Sequence, residues 1–162
     1  MHNSQRKILM LGANGFIGHH LTRQILETTN WELVGLDIHD HRLTAHLGHP
    51  RFRFVQADMT RSMDLIADLI RECDTVIPLV AIATPESYTR EPLRVFELDF
   101  EANLPIVRLC AEHGKRIIFP STSEVYGMSN DAAFDPESTN LVLGPINKTR
   151  WIYSCSKQLM DR

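Results

Sequence analysis

Residues 7–18 read KILMLGANGFIG, and this stretch determines how the rest of the chain is interpreted. Lys7 to Leu11 is a short and nearly all-apolar run, which predicts a strand buried on both faces of a sheet. Three glycines follow in a G-x-x-G-x-x-G spacing: Gly12, Gly15 and Gly18. From Phe16 to Thr28 the apolar residues recur at helical period, so the glycines are expected to form a tight strand-to-helix turn.

A turn of this kind predicts a site for the pyrophosphate of a dinucleotide. The first two glycines permit the tight turn and the close approach of backbone to the anion, and the third lets the helix pack closely on the strand. The anion would lie at the positive end of the helix dipole. Glycines also occur in tight turns that bind nothing, so the spacing alone leaves both interpretations open.

Two acidic residues strengthen the dinucleotide interpretation. Asp37 ends the second predicted strand, at the distance expected of the acid that hydrogen-bonds the adenosine ribose hydroxyls. A carboxylate there would repel a 2′-phosphate, which favours NAD over NADP. Asp58 and Met59 follow the third predicted strand and are placed to reach the adenine, although an Asp at a strand end also commonly caps a turn.

Apolar runs and helical stretches alternate along the chain, which predicts an α/β fold with a Rossmann-like, doubly wound parallel sheet. The predicted strands are Lys7–Leu11, Glu32–Asp37, Phe52–Gln56, Thr75–Val80 and Arg116–Phe119. The predicted helices are Phe16–Thr28, Ser62–Glu72, one long helix from Pro92 through Cys110, and Trp151–Arg162. We expect residues 1–120 to form the dinucleotide-binding core and residues 121–162 to begin a catalytic segment.

Composition excludes several other classes of protein. A formal net charge of -3 without a basic stripe gives no reason to expect nucleic acid or an acidic membrane as partner. Three separated cysteines suggest neither a disulfide framework nor a zinc site, and the histidines between Asp37 and Pro50 match no zinc spacing, so no metal is expected. With no signal peptide or long apolar run, the expected location is cytoplasmic.

A second motif lies in the last third of the chain. The fifth predicted strand delivers Thr122, Ser123 and Glu124 at its carboxyl end, where ligands bind in open α/β sheets. Tyr153 and Lys157 are one helical turn apart and project from the same face. An ammonium beside a phenol lowers the pKa of the phenol, which would let Tyr153 act as a base, and the same ammonium can hold the nicotinamide ribose. The spacing by itself is also common on solvated helices, so at this point that interpretation stays open and is the more frequent one.

The chain resembles the extended short-chain dehydrogenases that act on nucleotide sugars, the NAD-dependent epimerase/dehydratase group. Four segments are most similar to its UDP-glucuronic acid decarboxylases of polymyxin resistance and lipid A modification. These segments are PLVAIATP at 78–85, RVFELDF at 94–100, FPSTSEVYGM at 119–128 and WIYSCSKQL at 151–159. The resemblance implies NAD as cofactor and oxidation of carbon 4 of UDP-glucuronate, followed by loss of carbon dioxide to give a UDP-4-keto-pentose.

The resemblance also implies residue roles. Tyr153 would be the base tuned by Lys157, Thr122 and Ser123 would hydrogen-bond the sugar, and Glu124 would assist decarboxylation. Ala83, Tyr88 and Arg150 would contact UDP-glucuronate, with Arg150 as a cation for its carboxylate or phosphates. The residues expected around the dinucleotide are Gly12, Gly15, Phe16, Ile17, Gly18, Asp37, Asp58, Met59, Tyr153 and Lys157.

Members of the group have longer chains, so the sequence is expected to stop before most of the substrate domain. An isolated fifth strand would expose an edge, which favours association with a second copy. Three alternatives to UDP-glucuronate decarboxylation remain open. One is a fragment that binds NAD without catalysis, and another is a UDP-xylose synthase or a UDP-sugar 4-epimerase. The third is a purely structural role, in which the exposed edge pairs with another copy or with a complementary fragment.

Overall fold

The computed structural model describes residues 5–162. Within this range the strands are β1 (Lys7–Leu11), β2 (Glu32–Asp37), β3 (Phe52–Gln56), β4 (Thr75–Pro78) and β5 (Arg116–Ile117). The α-helices are α1 (Phe16–Thr28), α2 (Met63–Glu72), α3 (Pro85–Arg90), α4 (Pro92–Phe96), α5 (Leu104–Glu112) and α6 (Ile152–Asp161). A π-helical turn spans Glu97–Glu101, and 3-10 turns span Ser123–Tyr126 and Thr149–Trp151.

The chain divides into two compact units. The first comprises the described residues up to Val80 together with Pro105–Pro120, and the second comprises Ala81–Leu104 together with Ser121–Arg162. No helix within residues 5–162 combines the length and the apolar character that crossing a bilayer would require.

The first unit contains a parallel sheet in the order β3-β2-β1-β4-β5. In this order the chain starts at the centre, moves to one edge and then crosses to the other, so the predicted doubly wound Rossmann-like fold is confirmed. The residues of β1 from Ile8 to Leu11 are at most 3% exposed, as an all-apolar strand covered on both faces should be. β1, β2, β3 and α1 have the bounds predicted from the sequence.

Two strands are shorter than predicted. β4 ends at Pro78 instead of Val80, although the N–H of Leu79 still donates to the carbonyl of Leu11 in β1 at 2.8 Å. Pro78 itself has no N–H to donate. β5 covers only Arg116 and Ile117, although the N–H of Ile118 still donates to the carbonyl of Val76 at 2.9 Å. β5 pairs with β4 alone among the described residues, so it lies at an edge of the sheet, but it is too short to offer a long unpaired edge.

The second unit departs most from the prediction. The expected continuous helix from Pro92 through Cys110 is interrupted by the π-helical turn, and α5 begins after it at Leu104, with Pro105 in the first turn, where the missing N–H of a proline is tolerated. Helix α3 was not predicted, although Pro85 occupies its first turn, a position typical of proline. An ion pair of 2.8 Å between Glu86 and Arg90, four residues apart, supports this helix.

Candidate active site

The glycine turn of the first unit requires glycine at two positions. Gly12 has a φ of +88°, in the left-handed region that side chains disfavour. A Cβ atom on Gly18 would lie 2.3 Å from the carbonyl oxygen of Gly12 and 2.6 Å from that of Ala13. The third glycine therefore allows α1 to start against the backbone of the turn, as the spacing predicted.

Helix α1 presents free backbone donors at its first turn. Its N-cap Gly15 makes no side-chain cap, and the first turn carries no acidic residue. The N–H of His19 donates to the carbonyl of Gly15 at 3.1 Å. The N–H groups of Phe16, Ile17 and Gly18 come before this first helical bond, so they are the donors that a helix start leaves without a partner inside the helix. Phe16 and Ile17 are exposed, at 73% and 59%. An uncapped helix of this length, opening on a glycine turn, fits a diphosphate.

Asp37 lies at the same edge of the sheet as the glycine turn. One carboxylate oxygen accepts the N–H of Asn14 at 2.9 Å, and the other accepts the N–H of Ile38 at 2.8 Å. The N–H of His39 donates a longer bond of 3.4 Å to the same oxygen as Ile38. A carboxylate has about four lone-pair sites, so these three bonds orient the group and leave acceptor capacity for ribose hydroxyls. The contact with Asn14 places Asp37 directly beside the turn that it was predicted to serve.

Asn14 is a structural residue that the sequence interpretation missed. It is 5% exposed, and its side-chain oxygen accepts the N–H of Arg42 at 2.8 Å. Its side-chain nitrogen lies 3.2 Å from Nδ1 of His41. The loop after β2 is thus fastened to the glycine turn, and the only signal in the sequence was an amide between two glycines. Within residues 5–162, no three metal-ligating side chains lie together.

Asp58 forms a turn of its own, which was the second interpretation from the sequence. Its Oδ1 accepts both the N–H and the hydroxyl of Thr60, at 2.9 and 2.7 Å. The hydroxyl bond, then the N–H bond, hold the pKa of Asp58 below its ordinary value, and Arg61 adds to the effect. Met59 is only 4% exposed, so its side chain packs in the core. An adenine contact of either residue stays a prediction.

Helix α6 carries the candidate catalytic pair of the second unit. Tyr153 and Lys157 are 7% and 3% exposed, and the lysine Nζ lies 6.0 Å from the centre of the tyrosine ring. The Tyr153 ring stacks on Tyr88, with centroids 4.6 Å apart and planes inclined by 6°. Tyr88 itself is 2% exposed, which leaves little surface for a ligand. The stack fixes the plane of the Tyr153 phenol.

The pKa of Tyr153 departs from the expectation. Burial raises it above its ordinary value of 10.0, the negative charges of Asp99 and Glu124 raise it further, and a hydrogen bond with Thr122 lowers it. Burial also lowers the pKa of Lys157. The pKa of Tyr153 is therefore raised overall, and not lowered as the sequence predicted, because burial is the largest influence on it.

Glu124 is held by two neighbours. Arg150 donates to Oε2 at 3.1 Å and to Oε1 at 3.5 Å, and the hydroxyl of Ser154 donates to Oε2 at 3.2 Å. Ser154 is fully buried, whereas the side chain of Arg150 is 46% exposed. The acid predicted to assist decarboxylation and the cation predicted to bind the substrate thus form one ion pair. Ser154 was not singled out from the sequence.

The predicted sugar-binding hydroxyls lie next to this pair. The Thr122 oxygen accepts the N–H of Glu124 at 3.3 Å and so caps the 3-10 turn that carries the acid. Thr122 and Ser123 line an open cleft of about 840 Å³ together with Tyr126 and Gln158. Glu124, Arg150, Tyr153 and Lys157 are not among the residues that line this cleft. Ala83 is exposed, so it is accessible to a ligand.

The chain is similar to a known family and to several solved structures. A sequence model of the "NAD dependent epimerase/dehydratase family" matches residues 8–162. The PbgP3 protein from Burkholderia pseudomallei is 57% identical, with a TM-score of 0.95 over 98% of this chain and 48% of that one. The UDP-glucuronic acid 4-epimerase from Bacillus cereus, in complex with UDP-glucuronic acid and NAD, is 25% identical, with a TM-score of 0.77 over 95% of this chain and 50% of that one.

The UDP-Glc/GlcNAc 4-epimerase from Campylobacter jejuni is 22% identical, with a TM-score of 0.82 over 96% of this chain and 47% of that one, a likeness of fold alone. The chain spans about half the length of each of these three proteins.

Proposed function

The chain belongs to the NAD dependent epimerase/dehydratase family, and on that premise we propose that it supplies the cofactor-binding and proton-transfer residues for oxidation of a UDP-sugar at carbon 4. We propose UDP-glucuronate as the substrate and a UDP-4-keto-pentose as the product, with loss of carbon dioxide. The observation that carries the proposal is the buried pair of Tyr153 and Lys157 in the unit that also holds Glu124 and Arg150. A base and a decarboxylating acid are the two groups that this reaction needs.

The first unit would bind NAD, which supplies the acceptor for the hydride that leaves carbon 4. The N–H groups at the start of α1 would receive the diphosphate, for which the required glycines leave room. The oriented carboxylate of Asp37 would accept the ribose hydroxyls and repel a 2′-phosphate. The exposed side chains of Phe16 and Ile17 would be covered by the bound dinucleotide.

Tyr153 would take the proton of the 4-hydroxyl group as carbon 4 is oxidised. Its hydrogen bond with Thr122 favours the phenolate, and the stack on Tyr88 keeps the ring in one plane. Burial opposes ionisation, so the bound substrate and cofactor must shift the balance toward the phenolate. Lys157 would hold the nicotinamide ribose and stabilise the phenolate once the proton has moved.

Glu124 and Arg150 would act on the carboxylate of the sugar. Oxidation at carbon 4 makes this group the carboxylate of a β-keto acid. When the bond between carbon 5 and the carboxylate carbon breaks, carbon dioxide leaves and the electron pair moves toward the keto oxygen. Carbon 5 then takes a proton. Arg150 would bind the substrate carboxylate, and Ser154 would keep Glu124 in position while Arg150 is engaged. Thr122 and Ser123 would hold the sugar hydroxyls.

A 4-epimerase is the second candidate, and the likeness to the Bacillus cereus UDP-glucuronic acid 4-epimerase favours it. The sequence also admits a UDP-xylose synthase and a fragment that binds NAD without turnover.

One assay separates these functions. The full-length protein is mixed with UDP-glucuronate and NAD, or with NADP as a control, and NADH, carbon dioxide and the sugar product are measured. The proposal predicts NADH and carbon dioxide in equal amounts, a UDP-4-keto-pentose, and little reaction with NADP. UDP-galacturonate without net NADH would establish the epimerase instead, and UDP-xylose with carbon dioxide but no net NADH would establish the synthase. Saturable NAD binding without product would leave the fragment hypothesis.

A further inference from the structure

Asp99 occupies an unusual backbone position. It lies in the middle of the π-helical turn Glu97–Glu101, which follows α4 directly. The N–H of Ala102 closes this turn by donating to the carbonyl of Glu97 at 2.8 Å, a bond across five residues. Single π-helical turns are rare, and they occur frequently at functional sites. The π-helical turn therefore indicates that the side chain of Asp99 has a function.

The carboxylate of Asp99 is completely buried, at 0% exposure. Its Oδ1 accepts the N–H of Ile82 at 2.7 Å, while Oδ2 has no hydrogen-bond partner among the described residues. Burial raises the pKa of Asp99 to about 6, and the bond from Ile82 and the charge of Lys157 limit the rise. An asparagine at position 99 could accept the same N–H without the cost of a buried charge, so the specific contribution of the carboxylate is its charge.

The compensating positive charge is on α6, which packs against the π-helical turn. Lys157 is 3% exposed, and burial lowers its pKa. The negative charge of Asp99 opposes this decrease, and that of Asp161 does so to a lesser extent. Asp161 is exposed, and its carboxylate accepts the hydroxyl of Ser121 instead of pointing to the interior. Asp99 is thus the buried anion that acts on the buried lysine.

The same carboxylate also affects the tyrosine. Its charge raises the pKa of Tyr153, which would oppose proton removal if the charge were uncompensated. A charged Lys157 offsets that effect, since an ammonium and a carboxylate beside a phenol act in opposite directions. The two groups therefore act as a pair on the base.

We propose that Asp99 is a positioning residue that acts through Lys157, as the buried counterion that keeps this lysine charged beside Tyr153. The inference deepens the proposed function and rests on it, because it assigns the support of the base to a residue outside the Tyr-x-x-x-Lys motif. Asp99 touches neither Tyr153 nor a reacting group in this assignment, and its effect is electrostatic.

The test is a direct titration of Lys157 in the full-length protein without ligands. Lysine is labelled for carbon NMR, and the Lys157 signal is assigned by its loss in Lys157→Arg. Asp99→Asn is expected to increase the acid dissociation constant of Lys157 by about tenfold or more. Glu97→Gln is the matched control, because it removes a negative charge from the exposed side of the same turn. It should leave the titration unchanged, and Asp161→Asn should give a smaller change than Asp99→Asn.

An unchanged Lys157 titration in Asp99→Asn would overturn the proposal. If that variant fails to fold, the carbon NMR signal of the Asp99 carboxyl group is titrated in the unaltered protein instead. The proposal predicts two steps in its titration, one for its own proton and one as Lys157 loses its proton. A single step would show that the two groups are not coupled, and would overturn the proposal equally.

Activity gives a second readout. The rate of NAD reduction with UDP-glucuronate is expected to decrease at alkaline pH. In Asp99→Asn this decrease should begin at a lower pH than in the unaltered protein, because Lys157 loses its proton at a lower pH. A loss of rate by the same factor at every pH would indicate a structural role and would contradict the proposal. Absence of NAD reduction in the unaltered protein would refute the proposed function only, since the lysine titration requires no turnover.

Discussion

The glycine turn of the first unit and the tyrosine cluster of the second unit, formed by Tyr88, Tyr153 and Lys157, depend on different kinds of atoms. The turn requires that Gly18 has no Cβ, and it offers the backbone N–H groups at the start of α1. The cluster depends on buried side chains that carry protons and charge, above all Tyr153 and Lys157. Substitutions in the turn should therefore act through steric clash and stability, and substitutions in the cluster through rate and pH dependence.

The sharpest test of this difference is removal of the phenolic hydroxyl of Tyr153. Tyr153→Phe keeps the ring that stacks on Tyr88, so the fold and the affinity for NAD should be retained. The rate of NAD reduction should fall by about a hundredfold to ten-thousandfold, the usual contribution of a general base. Steady-state kinetics and calorimetric titration with NAD measure the two quantities. A variant with nearly full activity would remove Tyr153 from the mechanism.

The opposite behaviour is expected of Gly18→Ala. Alanine favours a helix interior over glycine by about 1 kcal/mol, but its Cβ would clash with two backbone carbonyls that no rotamer change can move. A net loss of about 2 kcal/mol in the free energy of unfolding is expected, together with weaker NAD binding. Urea denaturation and NAD titration provide the measurements.

Gly48→Ala is the control for this substitution, because a Cβ at position 48 would meet nothing within 4 Å. Its free energy of unfolding should change by less than about 1 kcal/mol. Equal effects at positions 18 and 48 would refute the steric argument for the turn.

A smaller effect is predicted for the hydroxyl that orients Glu124. Ser154→Ala removes one hydrogen bond to a charged group, and the rate of carbon dioxide release should fall by roughly fivefold, equivalent to about 1 kcal/mol. Ser156→Ala is the matched control on the same helix, since the buried hydroxyl of Ser156 has no hydrogen-bond partner among the described residues. It should leave the rate unchanged, and a comparable loss in both variants would argue against a role for Ser154.

The smallest predicted effect is a pH dependence of stability. Folding raises the pKa of Asp99 from its ordinary value of 3.8 to about 6, so between these values the folded state binds more protons than the unfolded state. This group therefore makes stability decrease as pH rises through that interval. In Asp99→Asn the decrease should be smaller, as measured by urea denaturation at a series of pH values. The same slope in both proteins would contradict burial of an ionisable Asp99.

Local patterns were sufficient to predict the bounds of four elements of the first unit. β1, α1, β2 and β3 follow from apolar period and glycine punctuation within a few residues, and the bounds agree with the structure. Asp37 contacts the glycine turn because parallel strands end at one edge of the sheet, and its contact with the adenosine ribose stays a prediction.

The second unit depends on contacts between distant segments, which a sequence pattern does not contain. The burial of Tyr88 against Tyr153 and the hydrogen bond from Ser154 to Glu124 join residues far apart in sequence. The raised pKa of Tyr153 follows from burial and from Asp99, and neither is visible in the Tyr-x-x-x-Lys spacing. The break of the expected long helix had a local signal in Pro105, but the π-helical turn before it had none.

The central claim is that the chain serves an oxidation at carbon 4 of UDP-glucuronate, with Tyr153 as the base. UDP-glucuronate carrying deuterium at carbon 4 tests it most directly, with the reduced dinucleotide analysed by mass spectrometry. The account predicts that the deuterium appears in the dinucleotide with the unaltered protein and is absent with Tyr153→Phe. Bound NAD that stays unlabelled while UDP-glucuronate is consumed would contradict the account.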